Sequence, residues 1–507
     1  MVTLLIFLVA IALLVWGFNR ARPYGRLGIF AWLQSVVLTL PWLLFFGLFT
    51  LGIYLNLAGV LLLVVASAGF YIYLGRRLRE MGKDELAAQR MAASVETEDT
   101  EDSTALTSHQ KTAETAERST SEGNNSEQSP NNRQPTPISP IPIADLTALE
   151  GIFGIDTFFR TETVPYEQGA VFRGNLRGKP EESLETLATL AEERLGDAYR
   201  LFLLEDPNSK PVVVALPKSA DPQPLTWVQK GLAILLGITT CVTCLEASSV
   251  LMGFDLFTTP EQWQLALPFA AGILAILITH EMGHWAMAWR HGAKLSWPFF
   301  LPTWDIGSFG ALTRLESILP NRNTLFDIAL AGPAAGGLLS FGMLLLGLVL
   351  SHPGSQFHIP VGFFQGSVLV GTLAKGVLGA ALSEPLVDLH PLTLVGWLGL
   401  VITALNLLPA GQLDGGRMVQ AIYGRKTTGR LTVVTLIVLV ITSLANPLAL
   451  YWAALILFLQ RNLERPARNE LTEPDDARAA LGLLALFLSL ATLLPLAPSL
   501  AGRLGIG

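Results

Sequence analysis

The sequence predicts a polytopic α-helical membrane protein of about ten spans carrying one small soluble α+β domain. Three observations predict it. Of 507 residues, 51% are hydrophobic and only 15% charged, with a mean hydropathy of +0.46. That is too apolar for an ordinary soluble protein and too long for one domain. Several segments reach the roughly 20 apolar residues needed to cross a bilayer. The stretch 143–224, by contrast, mixes helical and strand patterns with turn residues between them.

The elements follow in order. Residues 3–18 are apolar without a basic n-region or a small-residue cleavage site after them, and read as an uncleaved anchor rather than a signal peptide. Apolar runs at about 27–49 and 51–74 complete an N-terminal three-span region, 1–84. Residues 85–142 turn to Ser, Thr, Glu, Asn, Gln and Pro. They cannot bury enough surface to offset ordering entropy and read as a disordered polar linker. In 143–224 the expected elements are a helix over 144–153, a strand at 170–172, a helix over 181–195 and a hairpin pairing 199–204 with 212–216. Gly174-Asn175-Leu176-Arg177-Gly178 reads as a glycine-bounded turn. Spans are expected again at about 227–252, 264–291, 324–350, 391–409, 431–445, 447–461 and 477–497. The last lies in a C-terminal region, 466–507; the others form a core, 225–465. The segment 362–382 is apolar but carries Gln365 and Lys375, and reads as a surface or partly inserted segment.

Charge patterning sets the orientation. Basic clusters at 20–26, 76–83, 290–294, 417–430 and 461–468 all fall on one side when the spans alternate, and the soluble domain falls with them. That side is cytoplasmic, or stromal in a plastid. The net charge of −7 is spread unevenly and points to no nucleic-acid partner. Cys241 and Cys244 are too few for a disulfide framework. They read as small residues in a helix seam, with a redox or metal C-x-x-C as the alternative.

The span at 264–291 contains His280-Glu281-Met282-Gly283-His284. Ionisable side chains at membrane depth are costly and point to function. A four-residue spacing puts both imidazoles on one helix face, with Glu281 beside them. This is H-E-x-x-H, two zinc ligands and a carboxylate that can act as general base. The plain alternative is two buried histidines on a packed helix. Zinc needs a third protein ligand. His291 sits in a basic turn and reads as solvated, and His352, His358 and His390 fall on the opposite side. Asp414, in Asn406-Leu407-Leu408-Pro409-Ala410-Gly411-Gln412-Leu413-Asp414-Gly415-Gly416, ends an inward-running span at about the depth of His284. Its alternative role is N-cap of the next helix. Broken backbone at such depth is tolerated only where it is buried in protein or lines a wet cavity.

H-E-x-x-H in one span, followed by N-x-x-P-x-x-x-L-D-G-G ending a later one, resembles the site-2 proteases, which are intramembrane zinc metalloproteases. The likeness extends to Pro298-Phe299-Phe300, to Gly307-Ser308-Phe309-Gly310-Ala311 and to the stretch from Phe326 to Gly336. Gly174–Gly178, with the N-terminal extension, resembles the "ethylene-dependent gravitropism-deficient and yellow-green" branch of plastids and cyanobacteria. The absence of an Arg- and Ser-rich transit peptide favours the cyanobacterial kind, in a plasma or thylakoid membrane. The resemblance implies Zn²⁺ on His280, His284 and Asp414, Glu281 as base, and a substrate helix cleaved in the bilayer. Asn406 has two readings, donor to the oxyanion or helix cap. The segment 294–314, too broken for a span, reads as a re-entrant hairpin whose edge near Gly310–Thr313 pairs with an extended substrate. Gly332-Pro333 and Gly336-Gly337 are expected to kink the next span and allow close packing. The competing readings are a non-proteolytic membrane scaffold or chaperone, which would not need Glu281, and a transporter, which predicts internal repeats that the two halves lack.

Overall fold

The computed structural model describes residues 141–506, apart from positions 167, 207, 305, 445, 498, 500 and 503–505, together with scattered residues between 17 and 77. The three expected N-terminal spans and the linker lie largely outside the described residues. The chain clusters into two compact units, 134–441 with 448–507, and 1–133 with 442–447. The first carries the features below.

Its N-terminal part is a four-stranded antiparallel sheet with two helices on one face. The elements are α1 (Ile143–Glu150), β1 (Phe158–Tyr166), β2 (Gly169–Leu176), α2 (Pro180–Leu195), β3 (Tyr199–Glu205) and β4 (Pro211–Pro217). The strand order is β1-β2-β4-β3. α2 starts where Pro180 pre-sets the first turn beside Glu181 and Glu182, and it ends at Gly196, whose φ of 60° stops the helix. Leu184, Leu187 and Ala191 form its buried stripe, against Phe172, Leu201 and Val213. The β3–β4 turn is tied by Asp206, whose carboxylate accepts from the N–H of Asn208 and Lys210; these bonds hold its pKa below the ordinary range. Tyr199 donates to Asp145, and burial together with that carboxylate pushes its pKa up to about 12.

Two expectations are corrected here. β1 is a nine-residue strand where no element was expected. Gly174–Leu176 is not a turn but the end of β2. A Cβ at Gly174 would lie 2.2 Å from the Phe159 carbonyl, and one at Gly178 would lie 2.7 Å from Ser183 Oγ. Those glycines let β1 and the start of α2 close on the strand.

The membrane core begins at α3 (Trp227–Leu251), whose first turn is fixed by a reciprocal Thr226–Gln229 capping box. Then come α4 (Trp263–Arg290), β5 (Phe299–Thr303), β6 (Gly307–Leu312), α5 (Arg322–Leu350), β7 (Phe357–Pro360), α6 (Val368–Leu378), β8 (Leu386–Leu389), α7 (Pro391–Asn406), α8 (Asp414–Thr442), α9 (Pro447–Leu455) and α10 (Asp476–Leu493). Among the described residues, four helices are long and apolar enough to cross a membrane: 227–251, 260–290, 322–350 and 476–493. α7 has only 16 residues, about 24 Å at 1.5 Å per residue. The expected span at 431–445 belongs to α8, a helix that starts at Asp414 and breaks only at Gly424, where φ is 79°. Arg417, read in the sequence as part of the basic cluster 417–430, is buried on that helix.

The four-stranded sheet and the helical core share a seam. Leu203 on the open side of β3 exchanges backbone bonds with Arg468 and Glu470, while Arg468 and Asn469 donate to the carbonyls of Leu319 and Pro320 ahead of α5. The segment 468–470 thus extends the sheet and ties it to the core. Its Glu470 carboxyl is raised by burial.

Candidate metal centre

α4 and α5 approach closely because their contact is built from glycine. A Cβ at Gly283 would lie 2.4 Å from the Ala331 carbonyl; one at Gly332 would lie 2.2 Å from His284 Nε2, and one at Gly336 would lie 2.9 Å from His280 Cβ. The close packing expected of Gly332 and Gly336 is present, and α5 runs on through Pro333 without a break in its helical backbone. The glycine face admits the two imidazoles between the helices.

His280, Glu281 and His284 are buried on α4, and Asp414 is buried at the first residue of α8. His280 Nε2 lies 3.1 Å from Asp414 Oδ2 and 3.2 Å from His284 Nε2. His284 Nε2 lies 3.4 Å from Asp414 Oδ1. Two ligands bonded at about 2.0–2.1 Å and tetrahedrally disposed are roughly 3.3 Å apart. The three donors therefore fit one small cation. His284 Nδ1 meets the Ile328 carbonyl at 2.7 Å, which keeps the proton on Nδ1 and turns the Nε2 lone pair inward. Two imidazoles and one carboxylate, with a position left open, are a donor set for catalytic zinc.

The Glu281 carboxylate lies within 4.8 Å of the ring nitrogens, and its Oε2 accepts a 2.6 Å bond from the Thr313 hydroxyl. Asn406 is buried at the end of α7, and its amide donates to Ile402 O at 3.2 Å and to Phe309 O on β6 at 3.5 Å. It ties α7 to the β5–β6 hairpin.

Among the described residues, the other histidines go elsewhere. His291 is not free in solvent; its Nε2 meets Asp327 at 3.1 Å, and Asp327 also takes Arg478. His358 pairs with Asp388, and His390 accepts from the Leu392 N–H. Cys244 is buried, with its Sγ 2.9 Å from where a Gly307 Cβ would be, and Cys241 is exposed.

Three further residues surround the site. Arg417 Nη2 donates to the Thr313 carbonyl at 2.7 Å, Arg417 Nε donates to Glu464 at 2.9 Å, and Nη1 is 4.0 Å from Asp414. Arg417 was legible as a helix neighbour of Asp414, three residues on. Thr313 and Glu464 carry no such signal.

The profile described as Peptidase family M50 matches residues 268–445, and that of the EGY3 middle domain matches 147–224. The chain is similar to the "probable zinc metalloprotease EGY2, chloroplastic" of Arabidopsis thaliana, 41% identical over 351 residues, covering 68% of this chain and 63% of the relative. It is similar to the "probable zinc metalloprotease EGY1, chloroplastic" of Oryza sativa subsp. japonica, 38% identical over 403 residues, covering 72% and 70%. It is also similar to the "probable zinc metallopeptidase EGY3, chloroplastic" of Arabidopsis thaliana, 33% identical over 376 residues, covering 69% and 65%. The chain thus spans less than two thirds of the length of the EGY2 relative. No solved structure matches.

Proposed function

The chain belongs to the site-2 protease family, peptidase family M50, and on that premise we propose that it is an intramembrane zinc endopeptidase acting on membrane proteins near or within a transmembrane helix. The observation that carries the reading is the convergence of His280, His284 and Asp414 at 3.1–3.4 Å. These three side chains would hold Zn²⁺. The ion, when bound, supplies Lewis acidity to the scissile carbonyl and the attacking water.

The rest of the chemistry belongs to the chain. Glu281 takes the water's proton and passes it to the leaving amine. The Ile328 carbonyl keeps the His284 ring oriented. Asn406 positions the hairpin, and donates to the developing oxyanion when its longer bond, to Phe309, is given up. Burial of all five side chains supports a site from which bulk water is excluded.

The hairpin is the proposed substrate rest. Arg314 O takes the Ser296 N–H on the β5 side, so strand alternation directs the backbone groups of Ala311 and Thr313 to the outer edge. The Thr313 carbonyl is taken there by Arg417, so the edge offered for pairing is that of Ala311 with the Thr313 N–H. An extended substrate segment would pair there. By this reading about ten spans hold the site near the cytoplasmic or stromal face, with the domain at 143–224 on that side, the linker at 85–142 and a C-terminal span in 466–507. The relatives named above are chloroplastic, which supports a plastid or cyanobacterial-type membrane.

The test is Glu281→Gln in proteoliposomes, with zinc measured beside cleavage of a single-span membrane protein. Zinc retained with cleavage lost is the expected result; cleavage at the parent rate overturns the reading. Ala311→Pro should likewise keep zinc and lose cleavage, because it removes an outer-edge N–H. Unchanged cleavage would refute strand pairing.

A further inference from the structure

The buried network beside the metal centre runs in one line from a core loop to the proposed base. Glu464 is buried and fully engaged: its carboxylate takes Arg417 and the Arg465 N–H, and its backbone pairs reciprocally with the Gln420 amide. Arg417, held there, reaches across to the carbonyl of Thr313. Thr313 is itself buried, at the end of β6, and its hydroxyl donates to Glu281 Oε2 at 2.6 Å. A hydroxyl-to-carboxylate bond this short is charge-assisted and strongly directional. Every link is a hydrogen bond between buried groups, where a lost partner is costly.

We propose that Thr313 and Arg417 are positioning residues: Thr313 pins Glu281 Oε2 so that Oε1 is the oxygen that takes the proton, and Arg417 pins the strand end that carries Thr313. This rests on the reading of Glu281 as base. It deepens that reading by making the hairpin and the base one mechanical unit. The N–H of Thr313 lies on the edge that would receive a substrate, its carbonyl is held by Arg417, and its side chain lies on the base. A peptide paired along Ala311 and Thr313 therefore bears on the residue that orients Glu281. Substrate seating and base orientation are set at a single position, and Arg417, 4.0 Å from Asp414, keeps that position in register with the helix that supplies the third metal ligand.

The two residues should fail differently. Thr313→Val, nearly isosteric, removes the hydroxyl and leaves the strand. It should retain zinc and KM and lose about ten- to hundredfold in kcat, the range for losing a partner that orients a site group. Thr313→Ser should restore kcat. Arg417→Gln leaves the hydroxyl but frees the strand end. It should raise KM and speed amide hydrogen exchange across Gly307–Thr313. The probe is a fluorescent peptide of one apolar helix with a polar flank, in proteoliposomes. A readout independent of turnover accompanies it: the infrared carboxylate band of Glu281, identified by its loss in Glu281→Gln, should shift in Thr313→Val and not in Thr313→Ser. Parent-like kcat or an unshifted band in Thr313→Val overturns the role of Thr313. Unchanged exchange in Arg417→Gln overturns that of Arg417. If Glu281→Gln cleaves as fast as the parent, the protease reading fails on its own, and the band and the exchange still decide whether the network positions these groups.

Discussion

Besides the His291–Asp327 pair, histidine meets aspartate at two places in the core, and these two meetings differ in everything but composition. At the first, two histidines and Asp414 are buried, three donor atoms converge, and a backbone carbonyl fixes one ring. At the second, His358 faces Asp388 across the β7–β8 ladder at 2.5 Å, with the histidine side chain 61% exposed. Asp388 there is held below the usual carboxylate range first by the Gly354 N–H and then by His358. An exposed pair is screened by water and satisfied by its own partner. A buried triad with inward lone pairs is satisfied by a cation. Burial and convergence, rather than residue type, separate a candidate metal centre from a surface ion pair.

The comparison can be broken by substitution. The largest effect is expected for His280→Ala or Asp414→Ala, which should abolish stoichiometric zinc by elemental analysis, whereas His358→Ala should leave it at the parent level. Gly332→Ala comes next. Its Cβ would lie 2.2 Å from His284 Nε2, so it displaces a ligand without removing one, and zinc affinity should fall about ten- to hundredfold. Chelation should then lower the melting temperature of the parent and of His358→Ala alike, since a ligand at 100 times its Kd stabilises the folded state by about 2.7 kcal/mol. The smallest effect belongs to Asp388→Asn, with zinc and cleavage unchanged. Because the folded pKa of Asp388 is depressed, its contribution is present above the unfolded carboxylate pKa and lost as pH falls through the folded one. Amide protection of the β7–β8 hairpin should therefore fall in acid in the parent and be flat in Asp388→Asn.

The candidate metal centre could be picked out in the sequence because its chemistry is expensive where it lies. Two histidines inside an apolar helix and an aspartate at a broken helix end need a reason in a low-dielectric setting, and spacing supplied it. α2 and the β3–β4 hairpin were legible from periodicity and turn residues. What escaped was what tertiary packing decides. β1 reads as polar and aromatic residues without clean alternation, because it is an edge strand with a register shift at Arg160/Glu162. Arg417 read only as part of a basic cluster, because the break at Gly424 and the burial of the first half of α8 are properties of the packed core. Thr313 was read only as part of the hairpin edge and Glu464 not at all, since their hydrogen bonds to Glu281 and Arg417 exist only where separate segments meet.

The most direct test of the central claim is zinc-edge X-ray absorption on the purified protein. Two imidazole nitrogens and carboxylate oxygen at about 2.0–2.1 Å, without sulfur, are the expected shell, with the imidazole signal reduced in His284→Ala. Sulfur scattering near about 2.3 Å, or a shell that His284→Ala leaves unaltered, would contradict it.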